Sequence, residues 1–188
     1  MLSAYHEKYA RRSDEDIALR AKVKEAGLTE VLAKSGYRAA ASPVRVAVLG
    51  CAERRFVRHH RDIFARLLGA PVELTTFDIT TEHLEGEEGV VRHDIAEPLP
   101  GGPFDVAYGD VVLKFLPEGD RLPSLVRAYE ALRAPGIVIH ILDDEDALPA
   151  EAWKAALEAR GIACGIVPIA IEGVLPSVIR ETALYLLK

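Results

Sequence analysis

The residues with the clearest chemical use in this sequence are carboxylates that close β-rich apolar runs. Asp78 follows Thr75-Thr76-Phe77, Asp94 follows Val90-Val91-Arg92-His93, and Asp110 follows Phe104-Asp105-Val106-Ala107-Tyr108-Gly109. Asp143 and Asp144 follow Ile137-Val138-Ile139-His140-Ile141-Leu142. Hard oxygen ligands suit Mg²⁺ or Ca²⁺ if Asp110, Asp143 and Asp144 converge, but Asp143-Asp144-Glu145-Asp146 also precedes a helix, where acids favour the dipole for structural reasons alone. Arg54, Arg58 and Arg61 fall along one helix stripe at three- and four-residue spacings, fit either for an anionic, phosphate-bearing ligand or for a solvated face that balances an acidic protein. Adjacent His59 and His60 diverge on a helix and do not share one metal. His140, inside an apolar run, reads as a core histidine before it reads as a base. The first apolar run ends in the tight turn Val48-Leu49-Gly50-Cys51-Ala52-Glu53, where a glycine lets backbone approach closely what a side chain would push away.

Those residues need elements to hold them. From Val44 onward, short β-rich runs alternate with helical stretches, which is the pattern of βαβ units around a parallel sheet buried on both faces. Strands are predicted over 44–49, 72–77, 90–92, 104–108, 137–142, 163–171 and 182–187, with helices over 54–68, 121–132 and 150–160. The last two strands follow each other with only a turn near 173–177, predicting an antiparallel pair. The expectation is an α/β, doubly wound, mostly parallel seven-stranded sheet whose ligand lies outside the carboxyl ends of its strands. Residues 1–42 read as an N-terminal helical extension, and 43–188 as the sheet domain. In the extension Ser13 is the expected N-cap of a helix closed by Gly27, with a second short helix over 28–34 ending at Gly36. Tyr5 and Tyr9 there either cap a site or pack.

Composition excludes several classes. The chain of 188 residues, 49% hydrophobic and 28% charged, has the composition of a folded globular domain. Net charge is -6, so no overall field draws in nucleic acid. No apolar run reaches the ~18 residues of a membrane span and the N-terminus has no signal-peptide core, so no membrane partner and a cytoplasmic location are expected. Cys51 and Cys164 are expected to be reduced thiols. The sequence has neither Asn nor Gln, in keeping with a thermophilic source.

The succession Val48-Leu49-Gly50-Cys51-Ala52, Phe77-Asp78-Ile79, His93-Asp94-Ile95, Phe104-Asp105 through Asp110, Leu116-Pro117, Pro135-Gly136 and a final strand pair resembles the class I S-adenosylmethionine-dependent methyltransferases over nearly all of 44–188. The resemblance implies a Rossmann-like methyltransferase fold, S-adenosylmethionine as cofactor and in-line methyl transfer to a small or medium acceptor. It implies that Gly50, Cys51 and Ala52 line the methionine part of the cofactor, that Asp78 with Ile79 holds the ribose, and that Asp94 with Ile95 flanks the adenine. Tyr108 and Asp110 would face the transferred methyl, Asp110 orienting the nucleophile or taking its proton. The carboxylate set Asp110, Asp143 and Asp144 resembles that of metal-dependent catechol-type enzymes. Where the family carries an acid and three alternate glycines, this chain has Val48, Gly50, Ala52 and Arg54, so a non-catalytic binding module is the alternative, and Glu53 a possible replacement for the lost acid. An NAD-dependent enzyme fits the turn less well, since G-x-G-x-x-G is further from it. Tyr108-Gly109-Asp110-Val111 stands where DNA-adenine and protein-glutamine methylating enzymes carry Asn/Asp-Pro-Pro-aromatic, which argues against that chemistry.

Overall fold

The computed structural model describes residues 4–143, 149–174 and 178–188. Seven strands form one sheet: β1 (Val44–Leu49), β2 (Val72–Asp78), β3 (Val90–Arg92), β4 (Phe104–Asp110), β5 (Leu132–Leu142), β6 (Ala163–Ile171) and β7 (Ile179–Leu187). Their spatial order is β3-β2-β1-β4-β5-β7-β6. The first five pair in parallel, and β7 runs antiparallel between β5 and β6. This is the doubly wound sheet with a terminal antiparallel pair that the alternation of strands and helices predicts. The chain leaves β1 toward β2 on one side and returns to β4 on the other, so the strand order reverses between β1 and β4. A crevice opens at such a point.

Several strands outrun their predicted limits. β2 and β4 each extend to the acid at their end, Asp78 and Asp110, and β5 begins at Leu132, where Leu132 pairs with Phe104 ahead of a register shift. A carboxylate reads locally as a strand stop; the ladder carries it because the strand beside it is still being paired.

Helices cover both faces. On one side lie α1 (Ala4–Ala10), α2 (Asp14–Ser35) and α3 (Arg55–Leu68); on the other lie α4 (Glu118–Glu130) and α5 (Ala150–Glu158). Ile17, Leu28, Val31, Val57 and Phe64 join Val46, Tyr108 and Ile139 in the first core layer. Leu125, Trp153 and Leu157 join Phe77, Phe104 and Val138 in the second. α2 is one helix, not the two that a stop at Gly27 predicted. Ser13 caps its start by accepting from the Asp16 N–H at 3.1 Å, as expected, but its left-handed terminus is Gly36, φ 69°. Gly27 is buried mid-helix against Ile169, because the stripe Ile17, Ala21, Leu28, Val31 continues through it at helical spacing. Burial of that stripe outweighs the ~1 kcal/mol that an internal glycine costs.

Candidate active site at the carboxyl ends of the strands

The loop after β1 is built on two short bonds to β2. The Gly50 N–H donates to the Phe77 carbonyl at 2.7 Å, and the Cys51 N–H donates to Asp78 Oδ2 at 2.8 Å. The other Asp78 oxygen accepts from the Thr80 N–H at 3.0 Å. Gly50 takes φ 77°, and a Cβ there would lie 2.7 Å from Val112 Cγ2. Glycine is thus required by the turn and by Val112 after β4, independently of any ligand.

These bonds shape one wall of a cavity of about 280 Å³ at the reversal of strand order. Gly50, Cys51, Ala52, Asp78, Ile79, Asp94, Ile95 and Asp110 all line it. Ile79 is 60% exposed and Asp78 only 6%, so the cavity runs from an open apolar lip to a buried carboxylate. Asp94 Oδ1 accepts the Ala96 N–H at 2.9 Å, and the Ile95 carbonyl accepts from the Ser124 hydroxyl. The Cys51 thiol is free and buried, and burial pushes it up to about 12, which makes it inert at neutral pH.

Tyr108 does not belong to this set. It is fully buried, its ring edge-on to His60 at 5.6 Å and to Phe64 at 5.5 Å, and it does not line the cavity. It shares the face of Asp110 but sits two residues, roughly 6–7 Å, deeper along the strand, under α3. Burial raises its phenol, and with no exposed surface and no place on the cavity wall it does not reach a substrate. His140 is likewise wholly buried, with neither ring nitrogen hydrogen-bonded, and burial lowers it to about 4. It is the core histidine its setting in the sequence predicts.

Arg54 is exposed and does not line the cavity, which stays open beside it. Glu53 does not replace the missing acid: its Oε2 accepts from the backbone and the side chain of Arg55 at 3.0 and 2.9 Å, and it faces away. Val48, where the acid would stand, is core. Arg58 bonds Glu87 at 3.1 Å. Of the Asp110, Asp143 and Asp144 set, two members lie among the described residues. Asp110 is ion-paired with Lys24, Asp143 with Lys114 at 3.2 Å, and Asp144 lies outside the described residues.

The rest of the wall comes from the N-terminal helices and from loops that the strand pattern does not reveal. Tyr5, His6 and Tyr9 of α1, Lys24 of α2 and Phe56 of α3 line the cavity, joined by Phe115 from the 3₁₀ turn Leu113–Phe115. Tyr5 packs edge-on to Phe115 at 5.0 Å, and Tyr9 to Phe56 at 6.0 Å. Lys24 is the one Lys or Arg among the described lining residues, and its Nζ lies 5.0 Å from the centroid of the Phe56 ring. Burial pulls its ammonium down to about 8, while Cys51 and Glu181 act against that fall. The sequence does carry a signal for it: Lys24 stands on the buried stripe between Ala21 and Leu28, where a charge needs a partner. Among the described residues, His6, Asp78 and His83 are the one group of His, Cys, Asp or Glu whose ligand atoms come within range of a common metal ion.

A glycine turn, an acid after the second strand and a cavity at the β1/β4 reversal, on a sheet of order 3-2-1-4-5-7-6, define the class I S-adenosylmethionine-dependent methyltransferase fold. Solved structures of that fold are similar to this chain. The plantazolicin methyltransferase BpumL, solved with a pentazolic substrate analogue and S-adenosylhomocysteine, superposes with a TM-score of 0.63 at 11% identity, covering 97% of this chain and 88% of its own. A SAM-dependent methyltransferase from Archaeoglobus fulgidus gives 0.59 at 15% identity over 87% and 94%. The N-methyltransferase NodS from Bradyrhizobium japonicum WM9, in complex with S-adenosyl-L-homocysteine, gives 0.56 at 11% identity over 89% and 87%. No protein-family model matches the sequence, and no curated protein matches it. At such identities the likeness establishes architecture, and function rests on the site.

Proposed function

We propose that the chain is an S-adenosylmethionine-dependent methyltransferase that transfers the methyl group in line to a small or medium acceptor. The observation that carries this reading is the convergence on one cavity of Gly50, Asp78, Asp94 with Ile95, and Asp110, which come from the ends of four different strands or the loops after them. S-adenosylmethionine, when bound, supplies an electrophilic methyl on a sulfonium. The residues present fit it. The Asp78 oxygens each hold one backbone N–H and keep lone pairs for the ribose hydroxyls. Ile79 and Ile95 offer aliphatic surface to the adenine, with Asp94 beside its amino group. Lys24 sets a positive charge on the cavity wall that matches the carboxylate of the amino-acid end. Asp110 accepts a hydrogen bond from the acceptor and fixes its direction of approach. Tyr5, Tyr9, Phe56 and Phe115 exclude water from the cavity.

The test is titration with S-adenosylhomocysteine, followed by calorimetry and thermal unfolding. A true ligand at a hundredfold over Kd stabilises the fold by about 2.7 kcal/mol. Asp78→Ala is expected to weaken binding at least about tenfold, a loss of ~1.4 kcal/mol; unchanged affinity would remove Asp78 from the site. Absence of any response from the folded protein at millimolar ligand would overturn the reading. The alternative, a binding module without catalysis, draws on the loss of two of the three loop glycines and on the Lys24 ion pair already formed at Asp110. Binding of S-adenosylhomocysteine without methyl transfer to any of a panel of hydroxyl, amine and thiol acceptors would favour it.

A further inference from the structure

Three side chains from three separate elements meet at the edge of the cavity: His6 on α1, Asp78 at the end of β2, and His83 in the 3₁₀ turn Glu82–Leu84. One ring nitrogen from each imidazole and one carboxylate oxygen lie within 4.8 Å of one another. The two rings are stacked, centroids 4.0 Å apart, and His83 Nε2 is 4.0 Å from Asp78 Oδ2. The His83 side chain is only 5% exposed. Its Nε2 lies 2.7 Å from the Cys51 carbonyl, and a carbonyl can only accept, so that nitrogen carries the proton. The other ring nitrogen, Nδ1, is buried and has no hydrogen-bond partner. Anchoring one ring N–H on a backbone carbonyl while the other nitrogen is left to a metal is the usual way a ligating histidine is oriented. Asp78 is fixed in the same manner, by its two backbone N–H donors.

We propose that His6, Asp78 and His83 form a binding site for a divalent ion of the zinc class, with at least one coordination position left open. Two imidazole nitrogens and one carboxylate oxygen suit Zn²⁺, Co²⁺, Ni²⁺ or Fe²⁺ rather than Mg²⁺ or Ca²⁺, which take oxygen ligands. Three protein ligands leave room for a water or an anion. The bound ion ties α1 to β2 and to the loop after β1, drawing α1 down over the cavity. Resting on the proposed function, it also competes with the ribose for Asp78, so ion and nucleoside antagonise each other.

Cobalt is the probe, because its visible absorption reports coordination number directly. Titration of the apo protein with Co²⁺ is expected to give an intense low-coordinate visible band that Zn²⁺ removes. His6→Ala and His83→Ala, checked for folding by circular dichroism, are each expected to weaken Co²⁺ binding by at least about tenfold, the smallest loss seen even for partners one step removed from a metal. A spectrum of hexaaquo type at every concentration, or equal affinity in both variants and the wild type, overturns the site. Saturation with S-adenosylhomocysteine is expected to lower Co²⁺ affinity; if both bind and neither affects the other, the sharing of Asp78 is overturned. Failure of S-adenosylhomocysteine to bind at all counts against the methyltransferase reading, and the cobalt titration still decides the metal site.

Discussion

At the scale of single residues, the carboxylates were the easiest to find and their partners the hardest. Asp78, Asp94 and Asp110 announce themselves because each ends or follows a strand, and an open parallel sheet puts its ligand there. Tyr108 was misplaced by the same logic, since periodicity shows that it shares a face with Asp110 but not that the strand runs on past it into the crevice. Gly50 tests the turn itself. Gly50→Ala places a Cβ 2.7 Å from Val112 Cγ2 at φ 77°. Chemical denaturation should show a loss of about 1–2 kcal/mol from the left-handed backbone alone, and Val112→Ala in the same chain should restore the part owed to contact. His140 tests burial. Its proton affinity falls from 6.5 unfolded to about 4 folded. The unfolded state thus binds more protons between those values, and stability drops as pH falls through that window, by up to about 3 kcal/mol. His60, buried and lowered as well, adds in the same direction. His140→Leu should therefore lose less stability than the wild type between pH 6.5 and 4; parallel curves would show that His140 is not the group responsible.

At the scale of elements, the strands were legible because Val, Ile, Leu and Phe runs of the right length stand between glycine and proline signals. What escaped was continuity. Gly27 looks like a helix stop, and only the unbroken spacing of Ile17, Ala21, Leu28 and Val31 on its two sides says otherwise. A Cβ at Gly27 would meet Ile169 Cδ1 at 3.6 Å and Glu181 Oε2 at 4.0 Å, both ordinary contacts. Gly27→Ala is accordingly expected to stabilise the protein by about 0.5–1 kcal/mol, the entropy of an internal helical glycine. A raised thermal midpoint with unchanged circular dichroism is the outcome to look for, and a lowered one would mean that the added methyl is not accommodated beside Ile169 and Glu181.

At the scale of the molecule, half of the cavity wall arrives from parts of the chain remote in sequence, and no local pattern announces it. Tyr5, His6 and Lys24 precede the first strand, yet they face residues as distant as Asp110 and Phe115. Among the described residues no helix is long and apolar enough to cross a membrane. Removal of residues 1–10 takes away Tyr5 and Tyr9 but little of the buried core, so the fold should persist. The affinity for S-adenosylhomocysteine should fall by about tenfold, as expected for loss of two aromatic contacts worth ~0.5–1.5 kcal/mol each. Full affinity in the truncated chain would place α1 outside the binding wall.

α2 is a different matter from α1. Ile17, Leu28 and Val31 are wholly enclosed, and Lys24 is the counter-charge of Asp110. A version trimmed back to the first strand would bare a greasy flank along β6, β7 and α3 and strand an acid at the mouth of the crevice. The smallest autonomous form of this protein therefore starts before Asp14, and any fusion or library design that treats the leading helix as a disposable leader would be remaking the interior.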